Sequence, residues 1–92
     1  MALFNEYTCK IVAKYNRKDP FTDEEMDRLM DEVDLEEVAT DEEGFLIVRC
    51  EAYANAMSAS AAARVCLHSV CSAVRQEPET LVLHIAKTME GM

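Results

Sequence analysis

The chain is expected to fold as an α+β sandwich, a four-stranded antiparallel sheet with two helices on one face. Three observations carry this expectation. Apolar and polar residues alternate with period two over residues 7–15, 45–54 and 80–87. A helix-start pattern opens at Thr22. An alanine-rich stretch without Gly or Pro runs from about Met57 to Gln76, as helix propensity favours.

The first strand is read over Tyr7 to Tyr15. Tyr7, Cys9, Ile11, Ala13 and Tyr15 share one face, and Thr8, Lys10, Val12 and Lys14 share the other. Thr22 and Glu25 then form a capping box, with Phe21 and Met26 at the spacing of a hydrophobic staple. Met26, Leu29, Met30 and Val33 follow the i, i+3, i+4, i+7 pattern of one buried stripe. Asp23, Glu24 and Glu25 occupy the first turn, where the helix dipole favours negative charge.

Leu35 to Thr40 reads as a short, weak strand. Asp41-Glu42-Glu43-Gly44 reads as a hairpin turn, with Gly44 supplying a positive φ. Phe45 to Ala54 is the strongest strand, with Leu46, Val48, Cys50 and Ala52 on one face and Phe45, Ile47, Arg49, Glu51 and Tyr53 on the other. The second helix should bury Ala59, Ala63, Cys66, Val70 and Val74, flanked by Ala62, Leu67 and Ala73, and end by Pro78. Thr80 to Lys87 closes the chain as a fourth strand, with Leu81, Leu83 and Ile85 alternating against Val82, His84 and Ala86. Strand, helix, strand, strand, helix, strand with right-handed crossovers is the ferredoxin-like sandwich, strand order 4-1-3-2. Ninety-two residues, half of them apolar, suit a single domain over residues 1–92.

Charge is the strongest functional clue. Thirteen of the eighteen acidic residues fall between Asp19 and Glu43, a stretch whose only base is Arg28. Unpaired carboxylates must stay in water or face positive charge. The expected fold places Asp23, Glu24, Asp27, Asp31, Glu32, Asp34, Glu36, Glu37, Asp41, Glu42 and Glu43 on one flank. One reading makes that flank a partner-binding surface complementary to a basic protein. The other makes it a solvated face that serves solubility and protects a sheet edge.

The open sheet face is the alternative interface, carrying Lys10, Val12, Lys14, Phe45, Ile47, Arg49 and His84, with Tyr53 and Val82 adding apolar surface. A contiguous apolar face would suit sheet-to-sheet dimerisation or docking onto a partner. Gly44 to Val48 faintly echoes an RNA-recognition strand, but Ile47 stands where a stacking aromatic is needed. A net charge of −9 repels phosphate, leaving at most an auxiliary phosphate contact through Lys10, Lys14 and Arg49.

The remaining residues point away from chemistry. The acidic block lacks the ligand alternation of an EF-hand, and His68 with Cys71 supplies only half of a zinc site. His84 on its strand reads as an ordinary polar residue. Cys9, Cys50, Cys66 and Cys71 lie within apolar patterns and read as reduced. No nucleophile elbow or glycine-rich loop is visible, so neither an enzyme, a metal nor a cofactor is expected. Met1 to Glu6 lacks the basic start of a signal peptide, and no apolar run is long enough to cross a membrane, so a cytoplasmic location is expected.

In its length, its acidic block from Asp19 to Glu43 and its compact element order, the chain resembles a class of small acidic phage-encoded inhibitors of host defence, anti-CRISPR proteins among them. The resemblance implies a non-enzymatic inhibitor acting in the host cytoplasm. Its partner would be a protein or ribonucleoprotein complex whose basic, nucleic-acid-binding surface the acidic flank covers. The alternative is a ferredoxin-like homodimeric module with a structural or small-ligand role.

Overall fold

The computed structural model describes residues 4–88. Part of the N-terminal segment read above for a targeting signal, Met1 to Leu3, lies outside the described residues. The elements run β1 (Asn5–Tyr15), α1 (Asp23–Glu32), β2 (Asp34–Thr40), β3 (Leu46–Ala56), α2 (Ala59–Val74) and β4 (Thr80–Lys87). All strand pairs are antiparallel, in the order β2-β3-β1-β4. This is the expected 4-1-3-2 sheet read from its other edge.

Period-two alternation sets the register because only one face of each strand has core to meet. Leu35, Cys50, Ile11 and Leu83 align across the four strands, and Val38, Val48, Ala13 and Leu81 align next to them. Against this face pack Leu29 and Val33 of the α1 segment and Ala62, Cys66, Val70, Ala73 and Val74 of α2, forming one cluster. Tyr15 and Phe21 join it edge to face, with ring centroids 5.6 Å apart.

The capping box forms as expected. The Glu25 amide donates to Thr22 Oγ1 at 3.2 Å, and the Thr22 amide donates to Glu25 Oε1 at 2.9 Å. Arg17 adds what the spacing did not show. Its guanidinium donates to both Glu25 oxygens, at 2.7 and 3.1 Å, and to the Asp19 carbonyl at 3.1 Å. The fork ties the β1–α1 connection to the helix start.

That pair explains one departure from expectation. Neutralised by Arg17, Glu25 takes a core-facing position, so the buried stripe runs through Glu25, Leu29 and Val33. Met30, expected in the stripe, lies about 100° further round than Leu29 and is 64% exposed. The stripe of α2 is likewise turned. Cys66, Val70 and Val74 are buried as expected and Ala62 and Ala73 join them, while Ala59 and Leu67 are exposed and Ala63 is half-buried. The helix starts at the Ser58 cap and ends at Arg75, three residues before Pro78, in a left-handed conformation at φ 60°.

The β2–β3 turn is held by Asp41, whose Oδ1 accepts from the amides of Glu43 and Phe45, each at 2.9 Å. Gly44, at φ 90°, takes the conformation that the turn reading required of it.

Candidate acidic interface

Four rows of side chains cross the open sheet face, fixed by the strand registers. Tyr53, Thr8 and Ala86 form one; Asp34, Glu51, Lys10 and His84 the next; then Glu37, Arg49, Val12 and Val82; then Ala39, Ile47, Lys14 and Thr80. Charge grades across these rows from acidic at β2 to neutral at β4. The apolar residues do not form one patch. Val12 and Val82 are neighbours, but the row containing Glu51 and Lys10 separates them from Tyr53.

The two surfaces read as rivals in the sequence are joined by ion pairs. Arg49 Nε lies 3.1 Å from Glu37 Oε1. Lys14 Nζ lies 3.2 Å from Asp41 and 3.9 Å from Glu43, and 4.6 Å from the centre of the Phe45 ring. Lys14 and Arg49, two of the three bases expected to form a phosphate contact, therefore already face carboxylates. Lys10 and His84 make no ion pair among the described residues.

The hydrogen bond to Asp41 raises the pKa of Lys14. Burial pushes the Asp41 carboxyl up, but the Phe45 amide, Lys14 and the Glu43 amide outweigh it and hold the group below its usual range. Glu25 is also held low, chiefly by its bonds from Arg17.

The pairs leave an uneven acidic flank. Glu24 lies 3.9 Å from Arg28, whose Nε reaches across to the Ala73 carbonyl at 2.7 Å. The block's single base thus binds α1 to α2. Asp23, Asp27, Asp31, Glu32, Asp34, Glu36 and Glu42 form no ion pair among the described residues, and all seven side chains lie in exposed residues.

Four unpaired carboxylates come together in one place. β3 runs on to Ala56, whereas β2 begins opposite Glu51, so the outer edge of β3 beyond that point has no strand beside it among the described residues. An open cleft of about 410 Å³ lies there, rimmed by Asp31, Glu32, Asp34 and Glu51. Met30 and Tyr53, 64% and 67% exposed, complete its walls. The Tyr53 hydroxyl donates to Glu51 at 3.2 Å, which raises the pKa of the phenol. Carboxylates beside an aromatic face suit a guanidinium or ammonium group, and an unpaired strand edge suits an extended backbone. Glu51 lies outside the acidic block and Met30 was expected in the core, so the sequence concealed both.

The hairpin acids Asp41, Glu42 and Glu43 stand at the far end of β2 from this cleft. α1 carries Asp23 and Glu24 in its first turn and Asp31 and Glu32 in its last.

Other groups are arranged for packing. Burial pushes the Cys50 thiol up to about 11. Burial, followed by its contact with Cys9, pushes Cys66 up to about 12. Such thiols stay protonated at neutral pH and are poor nucleophiles. Among the described residues no three of His, Cys, Asp and Glu form a group able to hold a metal ion, and no helix is long and apolar enough to cross a membrane.

No protein-family model, curated protein or solved structure matches the chain.

Proposed function

We propose that the protein is a non-enzymatic inhibitor or adaptor that works by binding protein, using its acidic flank to occupy a basic, nucleic-acid-binding surface of a partner complex. This is the mode of action implied by its resemblance to phage-encoded, anti-CRISPR-like inhibitors, and the host cytoplasm is its expected place of action. The cleft at the α1–β2 junction carries the reading. Asp31, Glu32, Asp34 and Glu51 converge there and form no ion pair among the described residues, beside exposed Met30 and Tyr53. Solubility alone requires charge, but it does not require charges to converge beside an exposed aromatic and an unpaired strand edge.

An arginine or lysine from the partner would enter the cleft, and its flanking backbone would run along β3. The outlying acids Asp23, Asp27, Glu36 and Glu42 would speed association and make it sensitive to salt. The test is competition. A partner complex recovered with the protein is offered its own DNA or RNA in rising amounts. Mutually exclusive binding supports the reading, and simultaneous binding of protein and nucleic acid contradicts it.

A second reading, a homodimeric structural or small-ligand module, is favoured by the outer edge of β4, which pairs with no strand among the described residues.

A further inference from the structure

We propose that two copies of this chain join edge to edge through β4, forming a continuous eight-stranded sheet about a two-fold axis at Leu83. The proposal rests on the homodimer reading and specifies its surface. It does not depend on what the acidic cleft binds.

The two edges of the sheet are treated differently. β2 carries Asp34, Glu36 and Glu37 and is broken by an irregularity between Leu35 and Glu37. Charge and bulge are the usual means of preventing edge pairing. β4 has neither. Its sequence Thr-Leu-Val-Leu-His-Ile-Ala-Lys contains no acid, proline or glycine, and its register with β1 is unbroken from Lys14↔Thr80 to Tyr7↔Lys87. In a chain of net charge −9, this is the edge where a second copy meets least repulsion.

The backbone phase fixes which groups are offered. The Thr88 amide donates to the Glu6 carbonyl at 2.8 Å. Antiparallel pairing alternates along a strand, so the even-numbered residues of β4 exchange bonds with β1. Leu81, Leu83, Ile85 and Lys87 therefore direct their N–H and C=O groups outward. Their side chains point to the helix side of the sheet, where Leu81, Leu83 and Ile85 are packed on the core yet only partly buried.

A two-fold at Leu83 satisfies these constraints together. Leu83 meets the partner's Leu83, Leu81 meets the partner's Ile85, and the outward backbone groups of these residues pair. Glu79 precedes β4 and its amide donates inward to the Lys14 carbonyl at 2.7 Å, so the outward-facing stretch begins at Leu81. Moving the axis to His84 would oppose two histidines and set Leu81 against the partner's Lys87. Moving it to Val82 would leave Ile85 with no β4 residue of the partner opposite it. Beside Leu81 a groove of about 340 Å³, lined in part by Leu67, Cys71 and Pro78, offers room for apolar contact from the partner. The exposure of Leu67 on α2, unexpected from helical periodicity, then has a purpose. The acidic β2 edges lie at opposite ends of the joined sheet, as far apart as the fold allows.

Sedimentation equilibrium over a concentration series tests this on the whole chain. Twice the monomer mass of 10.4 kDa is expected at the higher concentrations. Leu83→Lys sets two like charges against each other at the axis and should weaken dimerisation roughly tenfold. Leu83→Met, which keeps the apolar contact, should leave it unchanged. Leu83 is only half-buried at the sheet edge, so the fold should survive, which far-ultraviolet circular dichroism would verify. A protein monomeric at every concentration overturns this proposal and the homodimer reading together. A dimer indifferent to Leu83→Lys overturns the β4 edge while leaving another dimer surface in place.

Discussion

Lys14 of β1 lies 3.2 Å from Asp41 at the end of β2, and its charge also sits over the ring of Phe45. The contact folds the hairpin onto the sheet and draws Asp41 away from the acidic flank. Asp41 in turn holds the Glu43 and Phe45 amides. Asp41→Ala should leave the sheet intact while exchange of those two amides accelerates, as measured by hydrogen exchange. Unchanged protection there would show that the backbone holds the turn without its side chain.

Lys14→Ala should let the Asp41 pKa rise toward the ordinary carboxylate range, observable by an NMR titration of its side chain. The direction follows because Lys14 favours the charged form of Asp41.

The Arg17–Glu25 fork is the more deeply set pair. Arg17→Met should destabilise the fold by about 1.5–3 kcal/mol in urea denaturation, the range for hydrogen bonds to a charged group. Its contribution should depend on acid. Glu25 is held below its ordinary value of 4.5, so the fork stabilises fully above that value and fades as pH falls through the folded one. The stability difference between wild type and Arg17→Met should therefore be constant near neutrality and shrink below about pH 4.5.

Leu29 and Met30 are adjacent in sequence and opposite in role. Leu29→Ala should cost about 2–5 kcal/mol, because Leu29 is completely buried. Met30→Gln should change stability by no more than about 0.5 kcal/mol. Equal costs would restore the stripe that helical spacing suggests. If the cleft is the binding site, Met30→Gln should act on partner affinity instead.

Arg75 closes α2 at φ 60°, a conformation that favours glycine. Its amide still reaches the Cys71 carbonyl at 2.6 Å, so the cap is formed despite the side chain. Arg75→Gly should stabilise the protein by about 0.5–1 kcal/mol, read as a higher urea midpoint.

Much of the fold was legible because local signals agreed with one another. The alternation of Tyr7 to Tyr15, the Thr22 capping box and the Gly44 turn each named an element that formed. Helical periodicity was less informative about facing. Several rotations of the alanine-rich α2 present small residues to the sheet, and α1 was turned by a salt bridge from Arg17, eight residues before Glu25. Charge was legible as a block but not as a surface. Lys14 belongs to a strand that sequence places far from Asp41, Arg49 meets Glu37 only through the hairpin register, and the cleft needed Glu51 and Tyr53 from β3 beside the end of α1. Such neighbours arise only once the register is set.

The central claim is that unpaired acids around the cleft bind a basic partner surface. Its most direct test is affinity capture from nuclease-treated host lysate across a salt series, comparing wild type with Asp31→Lys/Glu32→Lys/Asp34→Lys. Wild type is expected to retain a basic, nucleic-acid-handling protein at low salt and to release it as salt rises, while the folded variant fails to retain it. Undiminished capture of the same partner by the folded variant would show that these acids are not the binding surface.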